Sequence, residues 1–118
     1  MLKKAIGNLG EDIAVKYLKK NKYKILERNF RKRYGEIDII AQKDGYTVFV
    51  EVKTRTNEKF GRPCDAVDRF KAKKIIKTSM LYLGEKFSDT YIRYDIIEVT
   101  LPEININHIE NAFGGDWF

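Results

Sequence analysis

The sequence predicts an α/β domain: one mixed sheet, built in the order helix, three strands, helix, strand, with helices packed against it. Two segments carry apolar residues every three or four positions, one near the N-terminus and one after position 65. Between them lie three runs rich in Ile, Val and Phe, separated by only a few turn residues, as in an antiparallel meander. A fourth such run follows the second helix, so the chain must cross over to rejoin the sheet.

The first helix is expected over Lys4 to Asn21, where Ile6, Leu9, Ile13 and Tyr17 recur at helical spacing and Ala14 and Leu18 widen the stripe. "YKILERNFR" reads as a strand, and Arg33 to Gly35 as a turn. "EIDIIAQ" and "YTVFVEVKT" follow as two strands joined through Asp44 and Gly45, which suit the positive-φ positions of a type I′ turn. After "NEKFGRPC", Asp65 is expected to cap a helix from Ala66 to Tyr82 or Leu83. Its apolar side holds Val67, Phe70, Ile76, Met80 and Leu83, and Arg69, Lys73 and Lys77 form a basic stripe. "YIRYDIIEVT" is the fourth strand, ended by Pro102; "INHIENAF" reads as a short helix or a loop, and "GGDWF" as a tail that frays or docks by its aromatics.

At 118 residues the chain is a single domain, and 43% hydrophobic with 34% charged residues marks it as globular. No apolar run approaches the roughly 20 residues of a membrane helix. The N-terminus lacks a signal-peptide core followed by a small-residue cleavage site, so a cytoplasmic protein without a membrane partner is expected. The single cysteine, Cys64, cannot form an internal disulfide, and it lacks an adjoining histidine base that would make it a nucleophile. The single histidine, His108, leaves no Cys/His set for zinc and reads as structural, so any metal here must be held by oxygen.

There are 23 Lys and Arg against 17 Asp and Glu, a formal +6, with a pI of about 9.4. That balance suits a polyanion bound through phosphate neutralisation. The basic residues cluster as Arg28, Arg31, Lys32 and Arg33, as Lys53 and Arg55, and as Arg69, Lys71, Lys73, Lys74 and Lys77.

The stretch "GEIDIIAQKDGYTVFVEVKTR" places acids and a lysine in otherwise apolar strands. With a two-residue loop at Asp44 and Gly45, Asp38 faces Glu51 and Glu36 faces Lys53. All four then share one face, and Ile37, Ile39, Val50 and Val52 share the other. Opposed Cβ atoms lie roughly 4.5 to 5.5 Å apart, so the two carboxylates repel unless positive charge stands between them. A divalent cation resolves this, and magnesium (or manganese) fits carboxylate oxygens with room left for water and phosphate. Lys53 would then stand beside the ion, able to steer water and offset charge on a phosphate. The same pattern also describes the solvent face of an amphipathic sheet with an ordinary Glu36–Lys53 ion pair, and a bulge in the turn would separate the acids.

An acid on one strand followed by Glu-x-Lys on the next resembles the PD-(D/E)xK signature of restriction-endonuclease-like nucleases, and the order of elements resembles their common core. More closely, "GNLGEDIAVKYL", "ILERNFR", "GEIDIIA", "VFVEVKTR", "FGRPCDAV" and "INHIENAF" resemble the YraN-type bacterial family, small proteins similar to archaeal Holliday junction resolvases. The match runs from about Gly7 to Phe113; Ile37, not proline, precedes Asp38. The resemblance implies that Asp38 and Glu51 bind the metal, with the Val52 carbonyl as a further ligand, and that Lys53 is the active-site lysine. It adds Glu11, which shares a helix face with Gly7, Ala14 and Leu18, as a third acid toward the metal; as a residue type alone it reads equally as a surface glutamate. Glu36 is a supporting residue that orients Lys53, binds a second metal or makes a surface ion pair. Asp95 in "IRYDII" also matches a family motif, without a chemical task.

Together these point to a magnesium-dependent DNA endonuclease, with branched or junction DNA as the implied substrate. Asp38, Glu51 and Lys53 are its candidate catalytic residues, and Arg33, Arg55, Lys73 and Lys77 its candidates for backbone contacts. Tyr34, Tyr46 and Phe60 lie beside basic residues and read either as base-stacking groups or as core aromatics. A two-fold junction would suit a homodimer. Two other readings fit the same residues: a nucleic-acid-binding module that does not cut, and a small domain whose acidic face meets a protein partner.

Overall fold

The run "VFV" at 48–50 is apolar on both of its alternating sides, so the strand that carries it needs cover above and below. The computed structural model, which describes residues 2–56 and 68–114, supplies that cover with one helix on each face. In chain order the elements are α1 (Leu2–Lys20), β1 (Lys24–Lys32), β2 (Gly35–Lys43), β3 (Tyr46–Arg55), α2 (Arg69–Leu83), a 3-10 helix (Gly84–Asp89), β4 (Tyr91–Thr100) and β5 (Asn105–Phe113). The five strands form one sheet in the order β1-β2-β3-β4-β5. Neighbours are antiparallel except β3 and β4, which run parallel because α2 carries the chain back across the sheet.

On one face, Ala14, Val15 and Leu18 of α1 pack on Ile39, Val48, Val50, Ile97 and Val99. On the other, Ala72, Ile75 and Ile76 of α2 pack on Ile40, Phe49, Tyr94 and Ile96. Each fully buried side chain of this size contributes about 1.5–3 kcal/mol. The β2–β3 hairpin closes at Lys43↔Tyr46, with Asp44 at φ 51 and Gly45 at φ 83, as their place in the turn requires.

Three expectations are corrected. The cap of α2 is Asp68, whose side chain accepts the Lys71 N–H at 2.8 Å; Asp65, Ala66 and Val67 lie outside the described residues, as do Phe60 and Cys64. Phe70 and Met80, assigned to the apolar side of α2, are 69% and 45% exposed, because the sheet meets the face carrying Ala72, Ile75, Ile76 and Ser79 instead. The segment "INHIENAF" is strand β5, not a helix or loop. Its apolar residues Ile106, Ile109 and Phe113 mimic helical spacing because the strand is covered on both faces and residues three apart fall on opposite sides. Ile106 therefore packs toward α1, while Ile109 and Phe113 pack toward α2.

Candidate functional site

The site lies where β2 and β3 part. Their pairing runs as expected from Lys43↔Tyr46 to Ile39↔Val50 and extends no further. Continued alternation would give the Val52 N–H to Ile37; Asp38 Oδ2 accepts it instead, at 2.8 Å. The strand also turns over here. Ile37 packs in the cluster under α2 and Ile39 in the cluster under α1, although residues two apart on a regular strand share a face. Across from Asp38, between the pairs Arg28↔Ile39 and Phe30↔Ile37, Asn29 adopts φ 53. The expected grouping of Ile37 with Ile39, Val50 and Val52 is thus corrected, and so is the Glu36–Lys53 pairing.

Asp38 and Glu51 nonetheless meet, sharing a hydrogen bond at the open end of the sheet. Glu51, only 7% exposed, has its Oε2 2.6 Å from Nζ of Lys71 in the first turn of α2. Lys53 stands beside Lys71 at the same cleft. Two hollows of about 430 and 440 Å³ join at Asp38, Glu51 and Lys71. One reaches Gly35, Phe70 and Lys74; the other reaches Glu11, Lys53 and Arg55.

The charges settle accordingly. Burial, then the neighbouring Glu51 carboxylate, pushes Asp38 up to about 9, so ionising both acids together is disfavoured. Burial acts in the same direction on Glu51, but the Asp38 hydrogen bond and the Lys71 ammonium outweigh it and hold Glu51 below the usual carboxylate range. Lys53 is pushed down to about 8 by burial and by the Lys71 beside it. Lys71 is held above the ordinary lysine value: burial lowers it, and its bond to Glu51 more than offsets that.

The other expected site residues divide into near and far. Glu11 faces the same cleft from α1, and burial raises it. Its closest cation is Arg28, at 3.9 Å, and the Asn29 amide reaches it and Glu36 at 3.1 and 3.2 Å once its oxygen and nitrogen are oriented to suit both. Glu36 faces Arg31 of β1 at 3.3 Å. Arg55 lines the cleft, with its buried Nε unpartnered among the described residues. Arg33 and Lys77 lie 5.9 and 5.4 Å from the ring of Tyr34, outside the acids. Lys73 is exposed on α2. No three His, Cys, Asp or Glu side chains among the described residues are gathered as a ready metal cluster.

Lys71 was not singled out from the sequence, where it is one of five cations between 69 and 77. Its position three residues after the cap Asp68 places it, but only the packing of α2 aims it at Glu51. A second polar cluster also escaped prediction. Asp95, fully buried on β4, accepts from Arg93 Nη2 at 2.8 Å and the Asn111 N–H at 2.9 Å, and lies 2.6 Å from His108 Nε2. A carboxylate with these partners accepts a hydrogen bond from Nε2–H, leaving His108 Nδ1 to accept from the Tyr17 hydroxyl at 2.9 Å. Arg93 continues to the Tyr23 hydroxyl. Burial raises the Asp95 carboxyl, and the His108 and Arg93 hydrogen bonds more than offset this, so it stays ionised below the usual range. The signal was the Arg-x-Asp alternation in "YIRYDIIEV", which sets two charges on one face of a buried strand.

Fold and cleft together define a small α/β protein with a five-stranded mixed sheet, two flanking helices and an acid–lysine cleft between parting strands. The chain belongs to Uncharacterised protein family UPF0102, the YraN-type family its motifs resemble, whose model matches residues 10–99. It is 50% identical over 114 residues to a UPF0102 protein of Clostridioides difficile, covering 96% of this chain and 100% of the relative. A UPF0102 protein of Caldanaerobacter subterraneus is 50% identical over 117 residues, covering 94% and 96%. One from Persephonella marina is 46% identical over 112 residues, covering 94% and 95%. Among the described residues no helix is long and apolar enough to cross a membrane.

Proposed function

We propose that this protein is a metal-dependent DNA endonuclease that hydrolyses phosphodiesters at the cleft where β2 and β3 part. One observation carries the reading: two acids from adjacent strands share a hydrogen bond, with two lysines converging on them. A structural ion pair needs one acid and one base. Two buried carboxyls in contact are costly, and this arrangement is suited to a divalent cation. The donors fit magnesium or manganese: hard oxygens from Asp38 and Glu51, with the Val52 carbonyl and Glu11 from α1 as further candidates. The Lys71 ammonium, 2.6 Å from Glu51, is the positive charge those acids hold here. Bound between them, the ion would polarise the phosphate and make its water more acidic.

The side chains then divide the work. Asp38, losing its proton to solvent, and Glu51 would hold the ion with their carboxylate oxygens. Lys53 Nζ, pushed down to about 8, holds the attacking water in line and balances the charge that grows on the phosphate oxygens. As the new P–O bond forms, the attacking water gives a proton to solvent, the bond to the leaving oxygen breaks, and that oxygen takes up a proton from solvent. Lys71, released from Glu51, is left to meet a phosphate oxygen. Arg33, Arg55, Lys73 and Lys77 contact the backbone without reading sequence. The parallel β3–β4 pair and the acid positions resemble the restriction-endonuclease-like core, with β5 extending the sheet.

The test is cleavage of labelled four-way junction, flap, single-stranded and duplex DNA with Mg²⁺ or Mn²⁺, with Glu51→Gln and Lys53→Ala in parallel. Metal-dependent cutting by the wild type that disappears in both variants is the expected result; cutting that survives Glu51→Gln would overturn the assignment. The short Glu51–Lys71 contact favours a second reading, a DNA-binding module in which Lys71 neutralises the acids permanently. Salt-sensitive binding of DNA that stays intact with either metal would select it.

A further inference from the structure

Beside the cleft, on the α2 side, stands a ridge of exposed rings and cations. Phe70, 69% exposed, lines the same hollow as Asp38 and Glu51. The Nζ of Lys74 lies 4.6 Å from its ring centre. One turn further along α2, Lys77 lies 5.4 Å from the ring of Tyr34, which is 40% exposed and has Arg33 on it at 5.9 Å. The β1–β2 turn is seated against the helix here: a Cβ built on Gly35 would meet Lys74 and Thr78 at 3.6 Å. From Phe70 to Lys77 the helix rises roughly 10 Å.

Among the described residues neither ring belongs to a core cluster, and each has cations over its face. Such a surface suits a polyanion that also has flat faces. Phosphates draw Lys74, Lys77 and Arg33 off the rings by stronger attraction than the ring quadrupole offers. The freed ring faces are then open to stacking. Paired bases inside a duplex have no free face, whereas unpaired bases stack on any aromatic ring whatever their identity. We infer that Phe70 and Tyr34 form a stacking platform for the unpaired bases of a DNA single strand, with Arg33, Lys74 and Lys77 leading its backbone toward the Asp38–Glu51 cleft. This rests on the DNA-binding part of the proposed function and not on cleavage.

The experiment is fluorescence anisotropy with a dye-labelled single strand and the matching blunt duplex in EDTA, which halts metal-dependent cutting. Wild type is compared with Phe70→Ala, Tyr34→Ala, Phe70→Trp and Lys74→Ala, with circular dichroism checking each fold. Phe70→Ala and Tyr34→Ala should each weaken single-strand binding about tenfold and duplex binding less than about twofold, and Phe70→Trp should restore it. Lys74→Ala should weaken both and lower the salt slope by about one. Single-strand affinity unchanged in both alanine variants would overturn the inference and assign the ridge to a protein partner. Equal losses on duplex and single strand would also overturn it, because stacking would then play no part. A protein that shows the expected pattern but never cuts sinks the nuclease reading alone, and one that cuts but binds normally as Phe70→Ala sinks this inference alone.

Discussion

Two of the molecule's buried carboxylate clusters are treated in opposite ways. Asp95, in mid-strand on β4, is surrounded by donors fixed by the fold: the Arg93 guanidinium, the His108 ring and the Asn111 N–H. Asp38 and Glu51, at the open end of β2 and β3, have one backbone donor, one long lysine and each other. The first cluster is complete and ties α1 and β5 to β4 through Tyr17, Tyr23 and His108. The second leaves a proton shared between two acids, an arrangement that costs stability and suits a site awaiting a cation. The first carboxylate is held by donors the fold fixes, the second pair by one long lysine and by each other.

The largest expected effect is on the open cluster. Glu51→Gln should reduce metal-dependent cleavage by about a thousandfold, read as single-turnover rate, while its urea midpoint stays near wild type. Next comes the closed cluster. Asp95→Ala leaves Arg93 with only the exposed Glu110 as a carboxylate partner and should cost about 3 kcal/mol in urea unfolding, with single-strand binding retained wherever the protein is folded.

The pH dependence in EDTA separates the clusters by sign. Asp38 is pushed up to about 9, so its native state holds a proton that the unfolded chain releases near pH 4. Its contribution is present below that pH and is lost as pH rises toward 9, so Asp38→Asn should be the more stable protein at pH 8 by about 1–2 kcal/mol. Asp95 is depressed, so its contribution is present above about pH 4 and is lost as pH falls through its native value; Asp95→Asn should flatten that acid limb. A flat profile for Asp38→Asn relative to wild type would remove the distinction.

The smallest effects compare two glycines on α1. Alanine at Gly10 would put its Cβ 1.9 Å from Thr54 Oγ1, whereas at Gly7 it meets nothing within 4 Å. Thermal melts should therefore show Gly10→Ala losing about 1 kcal/mol or more and Gly7→Ala gaining about 0.5–1 kcal/mol from helix propensity. Close approach of α1 to β3 positions Glu11 over the cleft, so Gly10→Ala should also lower cleavage.

Much of the architecture could be read locally. The apolar spacing of Ile6, Ile13, Tyr17 and Leu18 placed α1, and Asp44 with Gly45 placed the hairpin and its register as far as Ile39↔Val50. The Glu-x-Lys spacing brought Glu51 and Lys53 forward because the strand period puts them on one side. Periodicity failed in β2 and β5. The reversal at Asn29 and Asp38 moved Ile37 to the α2 face, and apolar residues on both faces of β5 made a strand look helical. The capping aspartate of α2 was misassigned by three residues because Asp65 and Asp68 are both good caps in the same short segment.

Local pattern and charge were therefore enough for the class of fold, the hairpin, the pairing of two acids with a lysine, and the basic surface. Those features arise from neighbours in the chain, through strand alternation, helix period and turn geometry. Tertiary folding alone decided that Lys71 holds Glu51, that Glu36 pairs with Arg31 rather than Lys53, and that Asp95 meets His108 from 13 residues away. Those contacts depend on how far two helices and an added strand stand from the sheet, a distance set by the volume of the packed core and carried by no local spacing.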